Sequence, residues 1–210
     1  MYDTLMRLPF LTWVLLGALA QLPGLSHADI PMDSVSVIHM AMRLSTIAFL
    51  LLLAATVLLR TRPSAKAAGL EPRISALAGT FLMYGVVFFP RRDLSPVAEV
   101  VAALLTLIGS AGAVVALLQL GRSFSIMAET RRLVTSGPYR WVRHPLYAAE
   151  EIAILGLFMQ FASVWTALLL FAQIVFQFRR IHNEEMVLSA SFPEYHAYRR
   201  NTARVMPGIY

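Results

Sequence analysis

The chain has 210 residues, a formal net charge of +6, no cysteine, 58% hydrophobic and 14% charged residues, and a mean hydropathy of +0.64. Soluble domains carry about 25% charged residues, so this composition, gathered into long apolar runs, is that of an integral membrane protein. The lack of cysteine excludes disulfides, thiolate metal sites and cysteine nucleophiles. The basic residues flank the apolar runs and are therefore assigned to topology and headgroups, not to nucleic acid.

Six apolar segments follow in chain order, at residues 8–25, 35–59, 74–90, 97–120, 148–162 and 164–178. The first, with Arg7 before it and Ser26-His27-Ala28 after it, also has the form of a secretory signal; a retained helix is expected. The last two runs are about 15 residues each, so at ~1.5 Å per residue each helix covers only ~22 Å, and a short helical hairpin is expected. Arginine and lysine concentrate after the second, fourth and sixth runs (Arg60, Arg62, Lys66 and Arg73; Arg122, Arg131, Arg132, Arg140 and Arg143; Arg179, Arg180, Arg199, Arg200 and Arg204), whereas residues 25–34 carry none. The positive-inside rule then puts both termini in the cytoplasm, in the inner membrane, with Arg91-Arg92 as the one exception. The expected fold is all-α: a polytopic transmembrane helix bundle of five or six spans, ending in the hairpin and an amphipathic tail. Residues 1–120 form its N-terminal transmembrane part and residues 121–210 the part that carries the chemistry.

After Gly121 the chain becomes rich in Arg, His, Tyr and Glu. In residues 133–147, Gly137-Pro138 is a turn signal and Pro145 holds His144 extended. The backbone there is bent twice at the membrane surface just before a helix. Tyr139, Trp141 and Tyr147 offer rings for a base or a cation; taken singly, such aromatics and arginines are interfacial anchors. Arg180 and Glu184 share a helix face four residues apart, whereas Glu184 and Glu185 diverge by about 100°. In the second run, Arg43 is an ionisable residue at membrane depth, one turn after His39, and Glu150 and Glu151 are candidate partners for it. Arg43 and Glu150 are candidate substrate contacts. No metal constellation is expected.

Taken together, these residues resemble the integral membrane methyltransferases related to isoprenylcysteine carboxyl methyltransferase and phospholipid methyltransferase. The resemblance covers about 121–210. It rests on Gly-Arg-Ser-Phe at 121–124, Leu-Val-Thr-Ser-Gly-Pro-Tyr at 133–139, Arg-His-Pro-Leu-Tyr at 143–147, Glu184-Glu185, and Phe-Pro-Glu-Tyr-His-Ala-Tyr at 192–198, with Pro207 after it. The resemblance implies an S-adenosyl-L-methionine-dependent enzyme whose cofactor pocket is lined by Arg132, Leu133, Val134, Tyr139, His144, Pro145, Leu146, Tyr147 and Glu184. It further implies Arg180 nearest the acceptor and a catalytic pair of Arg180 and Glu185. The acceptor would be a lipophilic molecule or lipid bearing a carboxylate or an amine. The Gly-x-Gly element of the phospholipid branch is not matched by Gly109-Ser110-Ala111-Gly112, which counts against that branch. Two alternatives remain. One is an NADPH-dependent sterol-type membrane reductase, which shares an Arg-His-Pro-x-Tyr-like element but ends in different motifs. The other is a membrane scaffold without activity.

Overall fold

The computed structural model describes residues 2–23 and 33–207, with side chains from residue 10 onward; Ser26-His27-Ala28 lies outside them. Seven α-helices run among the described residues: α1 (Tyr2–Leu19), α2 (Ser34–Leu59), α3 (Glu71–Phe81), α4 (Pro96–Leu120), α5 (Pro145–Gln160), α6 (Val164–Ser191) and α7 (Tyr195–Asn201). Local chemistry fixes the starts of several. Asp33 caps α2, its Oδ1 accepting from Ser36 N at 2.8 Å. Ser95 caps α4, with Pro96 at the first helical position. At α6, Ser163 and Thr166 cap each other reciprocally.

Three helices, at Ser34–Leu59, Pro96–Ser123 and Val164–Ser191, are long and apolar enough to cross a membrane. The 74–90 run is built differently from a plain span. Its α-helix stops at Phe81 and a 3-10 segment, Leu82–Phe88, continues it. Eleven residues at ~1.5 Å and seven at ~2.0 Å still reach about 30 Å. The hairpin also has unequal arms. α5 is a short helix, but α6 extends 13 residues beyond the apolar run, to Ser191. Polar residues along it, among them Gln173, Arg180, Asn183 and Glu185, are buried against protein partners instead of ending the helix. Asn183 Nδ2 donates to Glu71 Oε2 (2.7 Å) and Ser75 Oγ (3.0 Å), and Gln173 Nε2 donates to Glu151 Oε1 (2.8 Å) and the Gly79 carbonyl (3.1 Å). These bonds fasten α6 to α3 and α5.

The two arms of the hairpin pack mainly on different neighbours, α5 along α4 and α6 along α3, while α4 lies on α2 and α2 on α1. The α4–α5 seam is lined by small residues. A Cβ on Gly109 would meet the Ala149 carbonyl at 2.7 Å, and one on Gly156 would meet the Ala102 carbonyl at 2.5 Å. Such close backbone approach drives helix association in lipid, where apolar side chains gain nothing from leaving water. Outward-facing Leu118, Leu168, Phe171 and Val175 are exposed, as a lipid-facing surface requires. A two-stranded clip, β1 (Ala65–Lys66) antiparallel to β2 (Glu129–Thr130), ties the chain after α2 to the loop after α4.

Candidate functional site

The long connection between α4 and α5 is shaped by two glycines in the left-handed region, Gly121 (φ 51°) and Gly137 (φ 60°). Gly121 ends α4, and Gly137 opens a 3-10 turn, Gly137–Arg140, that turns the chain back under the bundle. His144 stands just before α5 with φ −127° and ψ 58°, and Pro145 begins the helix. The tail after α7 then lies beside this turn. Arg143 N donates to the Ala203 carbonyl (2.8 Å), His144 N donates to the Arg204 carbonyl (3.0 Å), and Val142 and Ala203 form a parallel bridge.

Glu185 is 3% exposed and holds these pieces together. Its Oε1 accepts from Arg143 Nε at 2.9 Å and lies 3.2 Å from His144 Nε2. Its Oε2 accepts from Arg204 Nη2 at 2.5 Å. Glu184, one position earlier, points elsewhere: Tyr147 Oη donates to its Oε2 at 2.6 Å. The Tyr147 ring has two close neighbours. His144 lies parallel to it at 5.4 Å, and the Arg180 guanidinium sits 4.5 Å from its centroid.

Arg180 is 2% exposed. Its Nη1 is 4.0 Å from Glu150 Oε2, and Gln177 Nε2 donates to the same carboxylate at 3.3 Å. Arg180 Nε and Nη1, and Tyr139 Oη nearby, have no hydrogen-bond partner among the described residues. Buried donors of this kind are expensive to leave unpaired. Burial, with the Glu184 charge in support, pushes the Tyr139 hydroxyl well above its ordinary value, so it stays a neutral donor.

Of the residues expected to contact cofactor, Tyr139, His144, Leu146, Tyr147 and Glu184 line one cavity of about 40 Å³, together with Phe124 and Arg143. Val134 and Pro145 are buried but do not line it, Leu133 is half-buried, and Arg132 is exposed. Arg180 and Glu150 lie next to Tyr147, whereas Arg43 lines a separate cavity at the opposite end of α4 and α5. Sequence reasoning assigned no site role to Arg143, although it opens the motif at 143–147, and missed Arg204 and Gln177. Of these two, Gln177 had a usable signal, since it stands three positions before Arg180 on the same face.

Residues 101–190 match the isoprenylcysteine carboxyl methyltransferase family. Among curated proteins, the chain is 37% identical over 114 residues to the cobalt-zinc-cadmium resistance protein CzcN of Cupriavidus metallidurans, covering 52% of each. It is 34% identical over 82 residues to the nickel-cobalt-cadmium resistance protein NccN of Alcaligenes xylosoxydans xylosoxydans (39% of this chain, 38% of that one). It is 35% identical over 102 residues to a protein-S-isoprenylcysteine O-methyltransferase of Schizosaccharomyces pombe (45% and 43%). The matched stretch thus spans about half or less of these relatives.

Proposed function

We propose, on the premise that over residues 101–190 the chain belongs to the isoprenylcysteine carboxyl methyltransferase family, that this membrane protein transfers a methyl group from S-adenosyl-L-methionine to an amphiphilic acceptor. The observation that carries the reading is Arg180: a guanidinium buried beside Tyr147 with two nitrogens lacking hydrogen-bond partners among the described residues. The donor set suits the cofactor. Glu184 offers a carboxylate for an ammonium or ribose hydroxyl, and the His144–Tyr147 stack offers aromatic faces for a cation or a base. The cavity of about 40 Å³ is far below the 300–1,000 Å³, roughly, of small-molecule pockets. Loading therefore requires the connection after Gly121, which covers the cavity with Phe124 and Ser125, to move aside.

When bound, S-adenosyl-L-methionine supplies an electrophilic methyl group on a sulfonium. The chain's own part is to bind, align and exclude water. Tyr147, Glu184 and His144 hold the cofactor side, Arg180 orients the acceptor's anionic end, and Glu150 with Gln177 fixes the Arg180 side chain from below. Glu185 positions Arg143 and His144. Because α5 and α6 are lipid-bounded, the acceptor enters from the bilayer with its polar end near Arg180. The Arg/Lys distribution supports a site facing the cytoplasmic side of the inner membrane.

Calorimetry on detergent-purified protein separates the readings: S-adenosyl-L-methionine is expected to bind and NADPH is not. Binding of NADPH alone gives the reductase, and binding of neither gives the scaffold. Arg180→Lys keeps a charge but loses the planar fork. Methylation of the natural acceptor, found by labelling membranes with labelled cofactor, should fall strongly in that variant while cofactor affinity changes little. Equal initial rates in both proteins would move the acceptor away from Arg180.

A further inference from the structure

A second cavity, about 350 Å³, lies away from the site just described. It is bounded by Glu99 near the start of α4 and Gln160 at the end of α5, whereas the site cavity is bounded by Leu120 and Tyr147 at the opposite ends of those helices. The cavity therefore opens toward the other membrane face. Its charged lining is Arg43, Arg91, Arg92 and His39 against Asp93 and Glu99. Of the carboxylates, Glu99 lies 3.9 Å from His39 Nε2. Arg91 donates from Nη2 to the Gln160 side chain, and Arg92 N donates to the Gln160 carbonyl at 2.8 Å, so the loop carrying both arginines is fastened to α5.

Arg43 is the distinctive member. It is the tenth residue of α2, about 14 Å along the helix from its start, and it is half-buried. Among the described residues it has neither a hydrogen-bond nor an ion-pair partner, although an ionisable side chain at that depth is costly and faces a partner or a cavity. Apolar Met42, Leu94 and Ala103 complete the wall below the cationic mouth.

We infer that this cavity is a second binding site, for a phosphate-type oxyanion, with Arg43 as its deepest contact and Arg91-Arg92 at its rim. A guanidinium presents paired donors that match such an oxyanion. The three arginines outnumber the two carboxylates, and the apolar wall suits an acyl chain beneath an anionic headgroup. The pair at 91–92 breaks the charge bias expected of loops on that face because it serves this cavity. The inference is independent of methyl transfer at the other end.

The test titrates fluorescent phosphatidylglycerol into detergent-purified full-length protein, with phosphatidylcholine as reference and inorganic phosphate as competitor. Arg43→Gln should weaken phosphatidylglycerol binding about tenfold, from loss of a charge-assisted hydrogen bond. Arg62→Gln, at an exposed position on the other face, should stay close to the parent. Arg43→Lys, which keeps the charge and the helix, should also lose affinity, and an unchanged melting temperature excludes misfolding as the cause. Arg43-dependent binding displaced by inorganic phosphate supports the site with a free anion as its ligand; the same binding not displaced supports it with a lipid headgroup. Equal affinity in Arg43→Gln and the parent, or an equal loss in Arg62→Gln, overturns it.

Discussion

Glu184 and Glu185 are chain neighbours on α6, and helical rotation sends one toward the cavity and the other into a buried set of three basic residues. Their substitutions should fail differently. Glu184→Gln should raise the S-adenosyl-L-methionine dissociation constant about tenfold at little cost to stability, since a charged hydrogen-bond partner is lost at a half-buried position. Glu185→Gln leaves Arg143 and Arg204 without their shared carboxylate. Breaking a buried ion cluster costs about 3–5 kcal/mol, so its melting temperature should drop well below that of Glu184→Gln; a similar stability for both would refute the division of labour. The divergence of the pair was legible from helical periodicity. The partners of Glu185 were not, because Arg204 stands in a stretch without periodic signal and only the folded chain brings it near.

Helix identity was legible wherever apolar runs met capping residues, as at Asp33, Ser95 and Ser163. Helix length was not legible in α6, since hydropathy registers lipid-facing residues and misses polar ones satisfied by neighbouring helices. The α4–α5 seam makes its own prediction. Gly156→Val places methyl groups against the Ala102 carbonyl and Thr106, and overpacking of this kind costs typically 1–3 kcal/mol. Thermal unfolding in detergent should show a clear loss, whereas a substitution at lipid-facing Leu168 should not. The β1–β2 clip responds to acid. Burial raises the Glu129 carboxyl, but hydrogen bonds from Arg131, Ser125 and Lys66 outweigh it and hold the group below its ordinary value. A depressed folded value gives stability that is present above the unfolded value and lost as pH falls through the folded one. Hydrogen-exchange protection, measured against the intrinsic rate at each pH, of the Ser64 and Ala67 amides, which donate across the clip, should therefore fall on acidification below the ordinary carboxylate range, and much less in Glu129→Gln.

Across the whole molecule, two cavities sit at opposite ends of the same pair of helices, one walled by the loop that joins them and by α6, the other by α2 and the loop at residues 91–94. Deleting residues from Thr202 onward removes the carbonyls that accept from Arg143 and His144 and the guanidinium that grips Glu185. Such a truncated chain should still insert in the membrane, but bind S-adenosyl-L-methionine at least tenfold more weakly in calorimetry; full affinity would show the tail to be dispensable. The pairing of residues 202–204 with 142–144 also orders events during synthesis. Every described spanning helix leaves the ribosome before Ala203 and Arg204 do, so a nascent chain already threaded into the bilayer lacks an assembled pocket. On the proposed reading, competence to hold a cofactor then arrives late, only after translation has passed these residues.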